Sequence, residues 1–263
     1  MQKLLSRVRR CVEDYDMIQA GDRVAVGISG GKDSLCTLGA LAALSRFYPK
    51  PFTVTAITVR GFPDMDFSPV AEYCAALGVP YVVRDAPIYD VVFRYREEKN
   101  PCALCANLRR GALNSAAREF DCNKVALGHH LDDAVETYLL SLLREGRISC
   151  FSPVTYLDRS GITLIRPMLY LYEHELRSAA RRNALPVVQN TCPRDGESDR
   201  AEVKELIRTL SGTERAVRER IFGAMQRYPL PGWAPNHPPR GRKSNLLPFE
   251  DTILSQSEVN DHE

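Results

Sequence analysis

The segment Val24-Ala-Val-Gly-Ile-Ser-Gly-Gly-Lys-Asp-Ser34 limits what this chain can fold into more than any other stretch. An apolar, β-type run over 24–28 ends in two glycines, and a helical pattern follows over 35–44. A glycine turn between strand and helix leaves backbone N–H groups at the positive end of the helix, which suits a phosphate chain. Glycine lets the backbone approach the anion, Ser29 and Ser34 offer hydroxyl donors, and Lys32 adds positive charge. Spacing excludes a Walker A loop. Counted from Gly27, its second glycine would fall on Lys32, with Asp33 next.

The remaining pattern alternates strands with helices. Residues 3–19 carry Leu4, Leu5, Val8, Val12 and Tyr15 at helical spacing. Further strands are predicted over 53–59, 81–83, 124–127 and 162–165, with a last short one over 186–188. Helices are predicted over 67–77, closed by Gly78, and over 104–120, 132–143 and 173–182, with one long charged helix over 202–227. Such alternation implies right-handed crossovers and an α/β, doubly wound parallel sheet. Ligands in these sheets bind beyond the carboxyl ends of the strands. The organisation read here is an N-terminal helix at 1–20, a main domain at 21–228, and a Pro-rich, extended or disordered tail at 229–263.

Hydrophobic residues make up 44% and charged residues 26%, a globular composition. A net charge of +2 announces no polyanion, so nucleic-acid contacts must come from local patches. The N-terminus lacks a signal-peptide apolar core, and no apolar run approaches a membrane span. A cytoplasmic protein is expected. Eight cysteines in a reducing compartment then point to metal binding or catalysis, not to a disulfide framework.

Two more constellations carry chemistry. In Leu127-Gly-His-His-Leu-Asp-Asp-Ala-Val-Glu-Thr137, Asp132 and Asp133 fall in the first turn of a predicted helix, and Glu136 stands in capping-box relation to Asp133. Beside a phosphate loop, such carboxylates can hold Mg²⁺ against ATP phosphates. His129 or His130 can contact phosphate or serve the structure. In Pro101-Cys-Ala-Leu-Cys105, two cysteines open a helix just before Arg109-Arg-Gly111. The helix terminus and the arginines would lower the thiol pKa values. A Cys-x-x-Cys pair serves redox chemistry, half a zinc site or part of an iron–sulfur site, and no second pair is present for a zinc ribbon. Cys192, in Gln189-Asn-Thr-Cys-Pro193, is the further candidate, while Cys11, Cys36, Cys74, Cys122 and Cys150 read as structural. Two close ligands and one distant one suit a [4Fe–4S] cluster with one iron not ligated by cysteine.

Ser29-Gly-Gly-Lys-Asp-Ser34 resembles the loop of the PP-loop ATP pyrophosphatases, which split ATP between its α- and β-phosphates. Together with Cys102, Cys105, Leu127 to Thr137, Ile165-Arg-Pro167 and Cys192-Pro193, it resembles the tRNA 2-thiocytidine synthetase (TtcA) family over roughly residues 10–228. One departure stands out. Some members place the third cysteine in a Cys-x-x-Cys-like run, and here Pro193-Arg-Asp-Gly196 follows Cys192.

The resemblance implies an adenine nucleotide alpha hydrolase-like (HUP, Rossmann-like) architecture. It implies that Ser29, Gly30, Gly31, Lys32, Asp33, Ser34, Gly128, His129, Asp132 and Asp133 contact ATP. Asp33 and Asp133 would hold Mg²⁺, and Cys102, Cys105 and Cys192 would hold the [4Fe–4S] cluster, with Lys32 and Asp133 also catalytic. The implied reaction adenylates the C2 oxygen of a tRNA cytidine, at position 32, and replaces it with sulfur carried by the cluster. Partners are then tRNA and a sulfur donor such as a cysteine desulfurase, with a homodimer compatible. Cations for the tRNA backbone would come from Arg109, Arg110, Arg144, Arg147, Arg181, Arg182 and the tail residues Arg240, Arg242 and Lys243. The alternatives are a cluster-independent adenylating enzyme of lysidine-synthetase type, thiolation of another tRNA base, and a non-catalytic nucleotide or RNA binder.

Overall fold

In the computed structural model, strand β1 (Arg23–Gly27) lies at the centre of a six-stranded sheet of order β3-β2-β1-β4-β6-β5. The residues described are 2–95, 101–193, 199–211, 216–227, 230, 232–233 and 236. The chain runs α1 (Gln2–Asp14), β1, α2 (Lys32–Leu44), β2 (Thr53–Arg60), α3 (Ser68–Leu77), β3 (Tyr81–Asp85), a π-helical turn (Asp90–Tyr95), α4 (Pro101–Glu119), β4 (Lys124–Ala126) and α5 (Leu131–Arg144). It continues through β5 (Val154–Leu157), β6 (Ile162–Ile165), α6 (Glu173–Arg182), α7 (Asp199–Ser211) and α8 (Ala216–Arg227).

β1 to β4 and β6 are parallel, as the α/β pattern predicts. Val24 and Val26 face one side of the sheet, under α1 and α2, while Ala25 faces the other with Ala116 and Ala117 of α4. Both faces are covered, which is why these strands read as continuous apolar runs instead of alternating ones. The order reverses between β1 and β4: β2 and β3 lie to one side, β4 to the other. That switch point opens a crevice at the carboxyl ends of β1 and β4, where the Gly30-Gly31 turn and the Gly128-His129-His130 turn meet.

Four expectations need correction. Residues 186–188 form no strand; Val188 instead donates one hydrogen bond to Gly30 O, 2.9 Å, and lays this segment over the loop. Residues 202–227 form two helices, α7 and α8, packed on each other and on α5. The strand β5 was not expected; it pairs antiparallel with β6 and closes one edge as a hairpin. Of the tail expected to be extended or disordered from 229, the described residues 230, 232–233 and 236 lie against the main domain. Leu230 and Trp233 are buried in the main core, the Trp233 indole donates to Phe151 O at 3.0 Å, and Asn236 N donates to Asp14 O at 2.8 Å. The cations Arg240, Arg242 and Lys243 lie outside the described residues. Helix α1, set apart by sequence as 1–20, buries Leu4, Val8, Cys11 and Val12 in the same core as the sheet.

Candidate active site

The phosphate-type loop is built as its residues predict. Gly30 has φ +86°, and a Cβ there would meet Val188 Cβ at 2.8 Å, so conformation and space both require glycine. Gly31 caps α2 in extended conformation. The two hydroxyls tie the turn together: Ser34 Oγ donates to Gly31 O, 2.9 Å, and accepts from Ser29 N, 3.2 Å, while Ser29 Oγ accepts from Gly31 N, 3.3 Å.

Lys32 Nζ stands 3.0 Å from Asp33 Oδ2 and 3.4 Å from Glu173 Oε1 at the start of α6. Burial opposes the ammonium, but these two carboxylates outweigh it and raise the Lys32 pKa. The other oxygen, Asp33 Oδ1, is buried without a hydrogen-bond partner. A buried unpaired carboxylate oxygen is costly alone and suits a bound cation.

The second turn divides its acidic pair. His130, not Asp133, is the N-cap of α5. Its Nδ1 accepts from Asp133 N, 3.4 Å, and Asp133 Oδ2 accepts from His130 N, 2.9 Å. The expected box between Asp133 and Glu136 is therefore replaced by one a turn earlier, because the imidazole reaches the N3 amide from an extended residue. Asp132 is buried: its Oδ2 accepts from Glu173 N, 2.8 Å, and its Oδ1 lies 2.8 Å from Arg218 Nε. It fastens α6 and α8 to α5. Gly128 packs on the Asp33–Ser34 peptide, so the two motifs touch through backbone.

A cavity of about 250 Å³ opens between these turns and α4. Ser29 and His129 line one side, Ala106, Arg109 and Arg110 the other, with Ile57, Val59 and Leu164 as apolar floor. The helix that supplies Arg109 also carries the Cys-x-x-Cys pair. Cys105 and Cys192 pack on one small cluster of Phe62, Ile88 and Val92, and Cys105 feels the charge of both Cys102 and Cys192. Thr191 Oγ1 donates to Pro63 O, 3.1 Å, which carries the Cys192 segment to the end of β2. Cys105 thus has both its sequence neighbour Cys102 and the distant Cys192 near it.

The thiols depart from expectation in one respect. The Cys105 pKa is raised, because burial outweighs the nearby Arg109 guanidinium and the other two cysteines oppose ionisation as well. All eight cysteines are free of disulfides. Among the described residues, no three His, Cys, Asp or Glu side chains stand together at metal-ligating separations. The donor set still fits an iron–sulfur group: three thiols free of disulfides, with Cys105 near both Cys102 and Cys192. Residues 194–198, including most of the departing Pro193-Arg-Asp-Gly196 run, lie outside the described residues.

Folding gives several arginines, and Glu173, surroundings that the sequence did not indicate. Arg109 and Arg110 both line the cavity, and the Arg109 guanidinium lies 4.9 Å from the Phe62 ring. Arg144 pairs with Glu202 and Arg147 with Glu145 at the surface, and both arginines stay exposed. Glu173 gathers Lys32, Arg177 (2.8 Å) and Lys204 (2.6 Å). Arg166 is buried, which lowers its pKa to about 10, and its Nε donates to His129 Nδ1. The only sequence signal for it was an arginine closing an apolar strand, in Ile165-Arg-Pro167. No helix among the described residues is long and apolar enough to cross a membrane.

A strand–loop–helix phosphate site at the switch point of a parallel sheet, with a cysteine site on the facing helix, defines a nucleotide-binding α/β protein. The PP-loop domain family matches residues 2–210. A tRNA-cytidine(32) 2-sulfurtransferase from Geobacter metallireducens is 37% identical over 231 residues, covering 85% of this chain and 89% of the relative. One from Alkalilimnicola ehrlichii is 38% identical over 233 residues, covering 86% and 73%. The solved U34-tRNA thiolase NcsA from Methanococcus maripaludis, with its [4Fe–4S] cluster, superposes with a TM-score of 0.70 at 24% identity, over 86% of this chain and 78% of that one. This last likeness speaks for the fold. The chain belongs to the tRNA 2-thiocytidine synthetase family of PP-loop proteins.

Proposed function

We propose that the chain is an ATP-dependent tRNA sulfurtransferase that replaces the C2 oxygen of a tRNA cytidine, at position 32, with sulfur. One observation carries the reading: a single cavity runs from Ser29 of the phosphate-type loop to Arg109, on the helix whose Cys105 neighbours Cys102 and Cys192. The names of the relatives supply the base and its position.

The residues divide the work. The loop N–H groups, Ser29, Ser34 and Lys32 stabilise charge on the β- and γ-phosphates, which leave as pyrophosphate. Asp33, with its unpaired buried oxygen, and Asp133 would hold Mg²⁺ on the same phosphates. The cytidine C2 oxygen attacks the α-phosphorus; that O–P bond forms as the α–β bridge breaks. A hydrosulfide sulfur then adds at C2, and the C2–O bond breaks to release AMP with the former oxygen. Cys102, Cys105 and Cys192 would hold a [4Fe–4S] cluster, which when bound supplies an iron not ligated by cysteine to carry the sulfur. A cysteine desulfurase or another donor replenishes it; where the donor delivers persulfide sulfur, a thiol reductant supplies the two electrons that bring it to hydrosulfide. Arg109 and Arg110 line the same cavity, where they would stabilise charge as the base meets the α-phosphate.

The test is iron and acid-labile sulfide content, with the visible spectrum, of anaerobically purified wild type and Cys192→Ala, alongside tRNA-dependent pyrophosphate release. About four irons per chain, lost in the variant, is the expected result. Full activity in colourless, iron-free protein would move the assignment to a cluster-independent adenylating enzyme.

A further inference from the structure

His129, Phe151 and Arg166 form a packed set at the carboxyl ends of β4 and β6. The His129 and Phe151 rings stack with centroids 4.8 Å apart and planes 26° from parallel. The Arg166 guanidinium carbon also lies 4.8 Å from the Phe151 centroid. Arg166 Nε–H donates to His129 Nδ1 at 3.3 Å, and its Nη1 donates to Ser152 O and, at 3.3 Å, to Thr155 Oγ1. Trp233 holds Phe151 from behind through the bond to Phe151 O.

A guanidinium has donors only, so Nδ1 of His129 must offer its lone pair. A neutral imidazole then carries its proton on Nε2. A second proton on Nδ1 would set N–H against N–H beside a buried cation. Charged and titratable neighbours from the packed elements reinforce this. Arg109 and Arg110 line the same cavity from α4, and Cys150 lies near Arg166 from the loop before β5. On its own segment, His130 and Asp133 are engaged with each other, and no acidic residue lines the cavity among those described.

We infer that Arg166 is a positioning residue that locks His129 as the neutral Nε2–H tautomer, so that His129 serves the cavity as a fixed hydrogen-bond donor and not as a base. The identity of its acceptor rests on the thiolation reading: the C2 oxygen or the α-phosphate, where negative charge gathers. The tautomer itself does not rest on that reading.

Nitrogen-15 NMR of labelled histidine side chains tests it. The chain has five histidines, and His129→Gln assigns the resonance. In wild type, His129 is expected to keep the Nε2–H pattern from about pH 8 to about pH 5, without the titration near about 6.5 of an ordinary histidine. Titration near that value, or an Nδ1–H pattern, overturns the inference in wild type alone, whether or not variants fold. In Arg166→Met, the His129 ring is expected to titrate within the window; an unchanged spectrum would remove Arg166 from the role. In pyrophosphate release, His129→Gln keeps a donor and is expected within about tenfold of wild type, with His129→Ala down about a hundredfold. Equal losses in both overturn the donor role. The expected spectrum in a protein with no tRNA-dependent release would sink the proposed reaction while the tautomer stands.

Discussion

Gly128 rests against the backbone of Ser34. A β-carbon at position 128 would lie 3.0 Å from Ser34 N, 3.0 Å from Asp33 C and 3.1 Å from Asp33 O. Backbone cannot rotate away as a side chain can, so the loop would have to move. This contact joins the two motifs that flank the crevice, and the position of one sets the position of the other.

Gly128→Ala is therefore expected to weaken ATP binding at least about tenfold, because a shift of a few tenths of an ångström misplaces every loop donor. Titration calorimetry checks it. Unchanged affinity would show that the loop adapts freely and that the contact is incidental.

Trp233→Ala should cost about 3–5 kcal/mol of stability, the usual range for emptying a large aromatic site. The ring is fully buried against Phe222, and its N–H bond to Phe151 O goes with it. Urea unfolding measures the loss. A change below about 1 kcal/mol would mean that the segment after 229 is not part of the core.

Glu173 predicts a pH dependence. Burial pushes its pKa up, but Lys204, Arg177 and Lys32 outweigh burial and hold it at about 2, against an ordinary 4.5. A lowered folded pKa contributes stability that is complete above the unfolded value. It is lost as pH falls from about 4.5 toward about 2, by at most about 3 kcal/mol. Glu173→Gln should lower the urea midpoint near neutral pH and flatten its fall across that acid window. Parallel curves for both proteins would contradict the network.

Cysteine reactivity should divide by environment. Burial pushes the Cys36 thiol up to about 11 and the Cys74 thiol likewise to about 11, while Cys102 is exposed. In cluster-free native protein, iodoacetamide is expected to label Cys102 well before Cys36 or Cys74, read by peptide mass spectrometry. Early labelling of Cys36 would mean that α2 opens readily.

Local chemistry carried the sequence reading far. Gly30-Gly31 between an apolar strand and a helix could only be a turn with free N–H groups, and β-branched runs such as 53–59 could only be strands, because both signals act within a few residues. Residues 24–34 therefore determined the loop, and the alternation determined the parallel sheet. Tertiary structure decided which acidic and basic groups remain open to a ligand. Asp132 and Asp133 are neighbours in sequence, yet only folding brings α6 and α8 onto Asp132 and leaves Asp33 Oδ1 unpaired. It also decided that Arg166 turns inward to His129 and that Trp233 returns from a Pro-rich tail to support Phe151. Burial and charge pairing depend on contacts between residues more than 30 positions apart, as with Arg166 and His129 at a separation of 37. No local pattern encodes which of those contacts will form.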